Sequence, residues 1–308
     1  MDNTEKNLLA VIADLHGIPQ GAYNIRANGS LAGRSTTANI DIVTKKDKPG
    51  IDIFIKDGTK NESVHIPVII SKTGLDDLVY NDFHIGENCD VTIVAGCGIH
   101  NGGDKKSSHD GIHSFFVGKN SKLRYIEKHY GEGGKEENGG DNIMNPTTIV
   151  NLYEGSSMEM ETTQIGGIDS TARKTVARLE KDTTLVIHEK ILTCGHQSAT
   201  TEFTVDLDGE HSSTNVVSRS VAKDNSSQTF ISRINGNNLC NGHTECDAII
   251  MDHASVKAIP EITANSTDAS LIHEAAIGKI AGEQLIKLMT LGLTEKEAEE
   301  QIVNGFLK

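Results

Sequence analysis

Apolar residues recur along this chain in one register: an apolar position, four or five polar or small residues, then alternating apolar positions. The register is seen in Ile85-Gly-Glu-Asn-Cys-Asp-Val-Thr-Ile93 and Val117-Gly-Lys-Asn-Ser-Lys-Leu-Arg-Tyr125. It returns in Leu152-Tyr-Glu-Gly-Ser-Ser-Met-Glu-Met160 and Leu179-Glu-Lys-Asp-Thr-Thr-Leu-Val-Ile187, with looser copies from Leu207 and Ile234. Starts from Leu152 onward are 27, 28 and 27 residues apart. The two earlier steps, of 32 and 35 residues, contain the polar inserts Asn101–Ser108 and Gly131–Gly140. The second insert is charged and glycine-rich, and is expected to be a mobile loop rather than a phosphate cradle.

Short period-two strands repeated at this spacing predict a solenoid. Each coil leaves unpaired backbone groups that the next coil satisfies, at a spacing of about 4.8 Å. The expectation is a mainly β protein built on a right-handed parallel β-helix, with ladders of Val, Ile and Leu inside. A β-sandwich with regularly spaced strands is the competing architecture. Helices bracket the core. Thr4 is the expected N-cap of a helix carrying Leu8, Leu9, Val11, Ile12 and Leu15, stopped at Gly17 before Pro19. Glu274–Leu291 has helical spacing, with Gly292 as its stop, and Thr294-Glu-Lys-Glu297 is a capping box for a last short helix through Ile302. The expected divisions are an N-terminal helical segment at 1–20, a β-helix at 21–272 and a C-terminal helical annex at 273–308.

Composition narrows the partners. The chain has 308 residues, 36% hydrophobic, with 30 glycines and no Trp, which suggests small aliphatic side chains between tight turns. A formal charge of −14 disfavours nucleic acid and anionic membrane surfaces. The N-terminus shows no cationic signal region and no apolar run spans a bilayer, so a cytoplasmic location is expected. Five cysteines, at 89, 97, 194, 240 and 246, include no Cys-x-x-Cys pair, which argues against a zinc ribbon or disulfide framework. No P-loop, Gly-x-Gly-x-x-Gly turn or Gly-x-Ser-x-Gly elbow is present, so this chain is not expected to be an enzyme or to hydrolyse ATP itself.

The candidate chemistry lies in the last quarter. Asn241-Gly-His-Thr-Glu-Cys-Asp-Ala248 and Ile272-His-Glu-Ala-Ala-Ile277 gather a thiol, imidazoles and carboxylates suited to iron or zinc. Cys246 precedes an apolar run and is expected near its start, at the surface or an interface. Taken alone, a single cysteine is more often a small core residue, and its acidic neighbours Glu245 and Asp247 would raise its pKa. His273-Glu274 reads as the start of a helix after the last strand, where an acid favours the dipole.

Gly-His-x-x-Cys-Asp-Ala, then Pro260, His-Glu-Ala, Gly292-Leu-Thr-Glu-Lys-Glu-Ala298 and Ile302-Val-Asn-Gly-Phe306, in that order, resemble the SufB/SufD family of iron–sulfur cluster assembly proteins. The resemblance is dense from about Val117 onward. It implies a β-helix core and a scaffold role, with Cys246, Glu274 and His273 holding a nascent, transient cluster. Ile93-Val-Ala-Gly-Cys97 partly matches a segment carrying a second, sulfur-accepting cysteine, which makes Cys97 a further metal or sulfur candidate. The implied partners are an ABC-type ATPase (SufC) docked on the helical annex, a second copy or a SufB/SufD paralogue, a sulfur donor and recipient apo-proteins. A flavin is implied by analogy. Larger SufB proteins extend further at both ends, so a minimal homodimeric scaffold and a SufD-like companion binding no cluster alone are both open, with Cys246 and Glu274 favouring the first. A carbohydrate-active β-helix is the remote alternative, disfavoured by 4% aromatics and no signal peptide.

Overall fold

A computed structural model describes residues 2–134 and 139–308. The centre of the Gly131–Gly140 insert, expected to be a loop, lies outside the described residues. Among those described, twenty strands form two ten-stranded sheets that face each other as a β-solenoid of about eight turns. The chain alternates between sheets, so strands adjacent within a sheet are one coil apart and pair in parallel.

The repeating register is legible in the coil corners. Its fourth or fifth position adopts the left-handed backbone conformation at Asn88, Asn120, Gly155, Asp182 and His211. Asn, Asp and Gly tolerate this at least cost, which is why the polar run recurs with those residues. The flanking apolar residues Ile85, Val117, Leu152, Leu179 and Leu207 turn inward and stack in a continuous core. Pro146 divides one rung into two strands, Asn142–Met144 and Thr147–Leu152, which keep the same neighbours on both sides.

The two ends of the solenoid differ. At the N-terminal end each sheet finishes in an antiparallel pair: Ala22–Ala27 with Ser30–Ser35, and Ile40–Thr44 with Gly50–Ile55. Helix α1 (Asn3–Ala13) lies against the outside of the first sheet, with Leu8 and Leu9 packed on Ile25 and Ile69. A Cβ on Gly96 would approach the Ile12 carbonyl oxygen to 2.7 Å, so the glycines flanking Cys97 let α1 approach the strand. The N-cap is Asp2 rather than the expected Thr4, since Asp2 and Glu5 form a complete capping box. The helix ends at left-handed Asp14, before Gly17.

At the C-terminal end, Ser255–Ala264 and Ala269–Gly278 are the outermost strands of their sheets. The expected helix over Glu274–Leu291 is therefore corrected. Residues 269–278 pair rung by rung with Cys240–Ile250, and this ladder overrides the helical spacing of the segment. Strand continues through residue 273, where the annex was expected to begin. Helix α2 (Gly282–Thr290) follows, and α3 (Glu295–Phe306) opens on the expected Thr294–Glu297 capping box. Among the described residues no helix is long and apolar enough to cross a membrane.

Candidate functional site

Strand alternation decides where each candidate points. In Cys240–Ile250, the even residues Thr244 and Cys246 face the interior, and His243, Glu245 and Asp247 face outward. Cys246 is thus not at the surface. It sits mid-strand, 1% exposed, within the core that also contains Val216, Phe230 and Cys240. The apolar run after it misled the placement, because the strand begins at Cys240. Burial, followed by the charges of Glu189 and Asp247, pushes its thiol up to about 12.

His273 pairs in register with Thr244 and also turns inward. It begins no helix. Its Nδ1 is buried with no hydrogen-bond partner among the described residues, and burial plus the nearby His243 lowers its pKa. A neutral imidazole with a free nitrogen is the form a metal requires. Glu274 pairs with Glu245 and turns outward, with its side chain 66% exposed. Cys246 and His273 therefore lie on one face of the sheet and Glu274 on the other.

Cys97 is buried near the opposite end, among Val68, Ile70, Ile99, Met144 and Ile168. Burial and the carboxylates of Asp77 and Glu127 push its thiol well above the ordinary value. Five strand-to-strand steps separate its strand from that of Cys246, roughly 24 Å at the spacing of a sheet.

Sequence reasoning missed what lies between them. Glu127, Thr162, Glu189, Ser218 and Cys246 occupy one inward column on successive strands. From the facing sheet, Arg173 reaches into this column, binding Glu127 and donating toward His129 Nδ1 at 3.1 Å. Ser218 donates to Glu189 Oε2 at 2.8 Å, and Tyr125 donates to Glu127 Oε1 at 2.8 Å. Arg173 and the neighbouring imidazole His129 hold Glu127 well below the carboxylate range against the effect of burial. Burial keeps Glu189 above it and takes His113 down to about 4. The signal was present: Leu123, Tyr125, Glu127 and His129 share one parity, so a glutamate and a histidine occupy inward positions of a ladder that begins apolar.

Residues 79–306 match the family described as SUF system FeS cluster assembly, SufBD core domain. An iron-sulfur cluster assembly SufBD family protein of Methanocaldococcus jannaschii is 30% identical over 261 residues, covering 83% of this chain and 79% of that protein. One from Archaeoglobus fulgidus is 29% identical over 231 residues, covering 75% of this chain and 60% of the relative. Iron-sulfur cluster assembly protein SufB of Bacillus subtilis is 35% identical over 102 residues, covering 32% of this chain and 22% of that protein. The chain belongs to the SufB/SufD family, and membership supports a role in iron–sulfur cluster assembly.

Proposed function

We propose that the chain is a scaffold on which a nascent iron–sulfur cluster is built at a subunit boundary, under control of an ABC-type ATPase. The open C-terminal end of the solenoid supports this reading most. Its outermost strands have no further neighbour among the described residues and expose Ile259, Ile262, Ile272 and Ile277. Long apolar edges invite strand pairing and are normally blunted in a monomer. A second copy, or a paralogue, seated there would extend both sheets and enclose the strand next to Cys246. Cys246 and His273 would supply ligands from inside and Glu274 from outside. A thiolate is the usual protein ligand of such clusters, and carboxylate and imidazole suit a labile shell that gives up its cargo.

Because Cys246 is buried and protonated, the site needs a motion to expose it. Helix α2 has no buried residue and exposes Ile286, Met289 and Leu291, the last at 76%. An ATPase of the SufC type docking on this stripe would pull on the chain a few residues past Glu274. Cys97 would accept sulfur, and the polar column would lead from its end of the solenoid toward Cys246. The burial of Cys246, on the face opposite Glu274, also favours a second reading, a SufD-like companion that holds no cluster alone.

Anaerobic reconstitution with ferrous iron and sulfide, with and without the ATPase and ATP, separates the two. A scaffold develops visible charge-transfer absorption that is much reduced in Cys246→Ala and Glu274→Ala and kept in Cys194→Ala. Equal absorption in folded Cys246→Ala and wild type would refute the assigned thiol and turn the search to Cys97.

A further inference from the structure

The outer face of the sheet at its open end carries a group of side chains that the interior chemistry does not use. His243 and Glu245 stand outward on Cys240–Ile250, and Glu274 stands outward beside Glu245 on the terminal strand. One potential ligand atom from each lies within 4.8 Å of the other two.

The His243 ring is held in place by its neighbour. Its Nδ1 lies 2.8 Å from Asn215 Oδ1, on the adjacent strand Ser212–Ala222. An amide oxygen accepts, so Nδ1 donates here and Nε2 is the ring nitrogen left to face a metal. That nitrogen faces the Glu274 carboxylate, with Nε2 and Oε2 3.8 Å apart. Two electron-pair donors facing each other, with a third carboxylate beside them, are arranged as they would be around a cation. Metal–ligand bonds of about 2.1 Å allow donor separations up to about 4.2 Å. The His243–Glu274 pair already meets that limit, and the remaining donors lie within 4.8 Å, a gap that side-chain rotation of exposed Glu274 and half-buried Glu245 would close.

We propose that His243, Glu245 and Glu274 form a divalent-cation site on the outer face of the sheet, with Asn215 as the positioning residue. One imidazole and two carboxylates suit the borderline ions Fe2+, Co2+ and Zn2+ better than Mg2+ or Ca2+. Asp247 shares a hydrogen bond with Glu245 that a cation would displace, and Arg219 lies close enough to offset part of the negative charge. Three ligands on one side leave the solvent side open, as in a site that exchanges its ion. Glu245 and Cys246 are consecutive and point to opposite faces, so the ion would lie one sheet thickness from the thiol. Its use as a loading point for ferrous iron rests on the scaffold reading above. Binding of the cation does not.

Cobalt(II) tests this in the whole, sulfide-free protein under anaerobic conditions, by visible d–d absorption and calorimetry. Wild type should bind one ion per chain, without the near-ultraviolet thiolate-to-cobalt band. Asn215→Ala should weaken binding about 10–100-fold, as losses of outer-shell partners do. His243→Ala and Glu274→Gln should weaken it at least as much, and Cys246→Ser should leave it unchanged. The proposal is overturned by no binding at millimolar cobalt, by wild-type affinity in folded His243→Ala, or by loss of binding in Cys246→Ser. A cobalt site of the expected kind together with failed cluster reconstitution would uphold the cation site and count against the scaffold reading alone.

Discussion

Arg173 is the residue whose loss should reveal most about the interior. Its guanidinium and the Glu127 carboxylate are each only 3% exposed, and they are paired across the lumen between the two sheets. Removing one member of a buried pair leaves the other charged in a medium that solvates it poorly, at a cost of about 3–5 kcal/mol. Arg173→Met keeps much of the volume and removes the cation, so it should destabilise the protein by about that amount at neutral pH. The pH dependence gives the sharper test. In the wild type, the Glu127 pKa lies well below its ordinary value of 4.5. Its stabilising contribution is therefore complete above that value and is lost as pH falls through the folded pKa. In Arg173→Met the sign inverts. Burial then dominates at Glu127, as it already does at Glu189, and raises the pKa. A raised carboxylate favours the fold at low pH and loses that contribution as pH rises, so the mutant's penalty should be larger at pH 7.5 than at pH 5.5. Urea unfolding followed by far-UV circular dichroism at both pH values measures this. Adding Glu127→Gln should recover part of the loss, since the uncompensated charge is removed with its partner. A penalty under about 1 kcal/mol would match a solvated surface pair and refute the buried network. So would a penalty equal at the two pH values.

With its thiol pushed up to about 12, Cys246 should resist iodoacetamide in the folded protein, having roughly one part in ten thousand as thiolate at pH 8. Peptide mapping should find half-buried Cys194 modified first, and ATP with the ATPase should speed modification of Cys246; equal rates for the two cysteines in the isolated protein would contradict the burial. Ile286→Asp with Met289→Asp should abolish co-purification with the ATPase and leave the melting transition within about 1–2 °C, because both side chains are exposed and α2 has no buried residue; retained binding would move the dock elsewhere. Ile259→Lys, placing a charge on the terminal strand, should turn a dimer into a monomer by light scattering coupled to gel filtration. An unchanged mass would exclude that edge as the interface.

The solenoid was legible because its corners repeat a chemical requirement. A left-handed corner residue after an inward apolar one, Asn, Asp or Gly in each of those coils but that of His211, marks the repeat, and the alternation beyond it fixes which residues turn inward. The terminal strand was misread for a different reason. Ile277, Ile280, Leu285 and Leu288 satisfy helical spacing, and what makes residues 269–278 a strand is the vacant edge of the previous coil, a nonlocal fact. The candidate residues were found as a set, but their split across the sheet required knowing the strand's start. Counting parity from Cys240 instead of from the apolar run Ala248–Met251 places Cys246 inside and Glu245 outside. The inward glutamates were visible in the same parity. Only the facing sheet shows that an arginine 46 residues after Glu127 makes one of them tolerable.

The unequal ends of the solenoid also give folding a direction. Ribosomes release the end with the hairpins and α1 first, so those elements are available before later coils emerge. Each subsequent coil can then zip onto a templating edge already in place, and contacts run chiefly to the coil just made. Throughout synthesis the growing chain carries an advancing pairing front, which moves until it reaches residues 269–278. The surface that would recruit another subunit is therefore the final growth front, left in place when translation moves on to α2. Crowded polysomes would be the place where premature pairing of such fronts is most hazardous, and α2 and α3 are the segments positioned to emerge beside it.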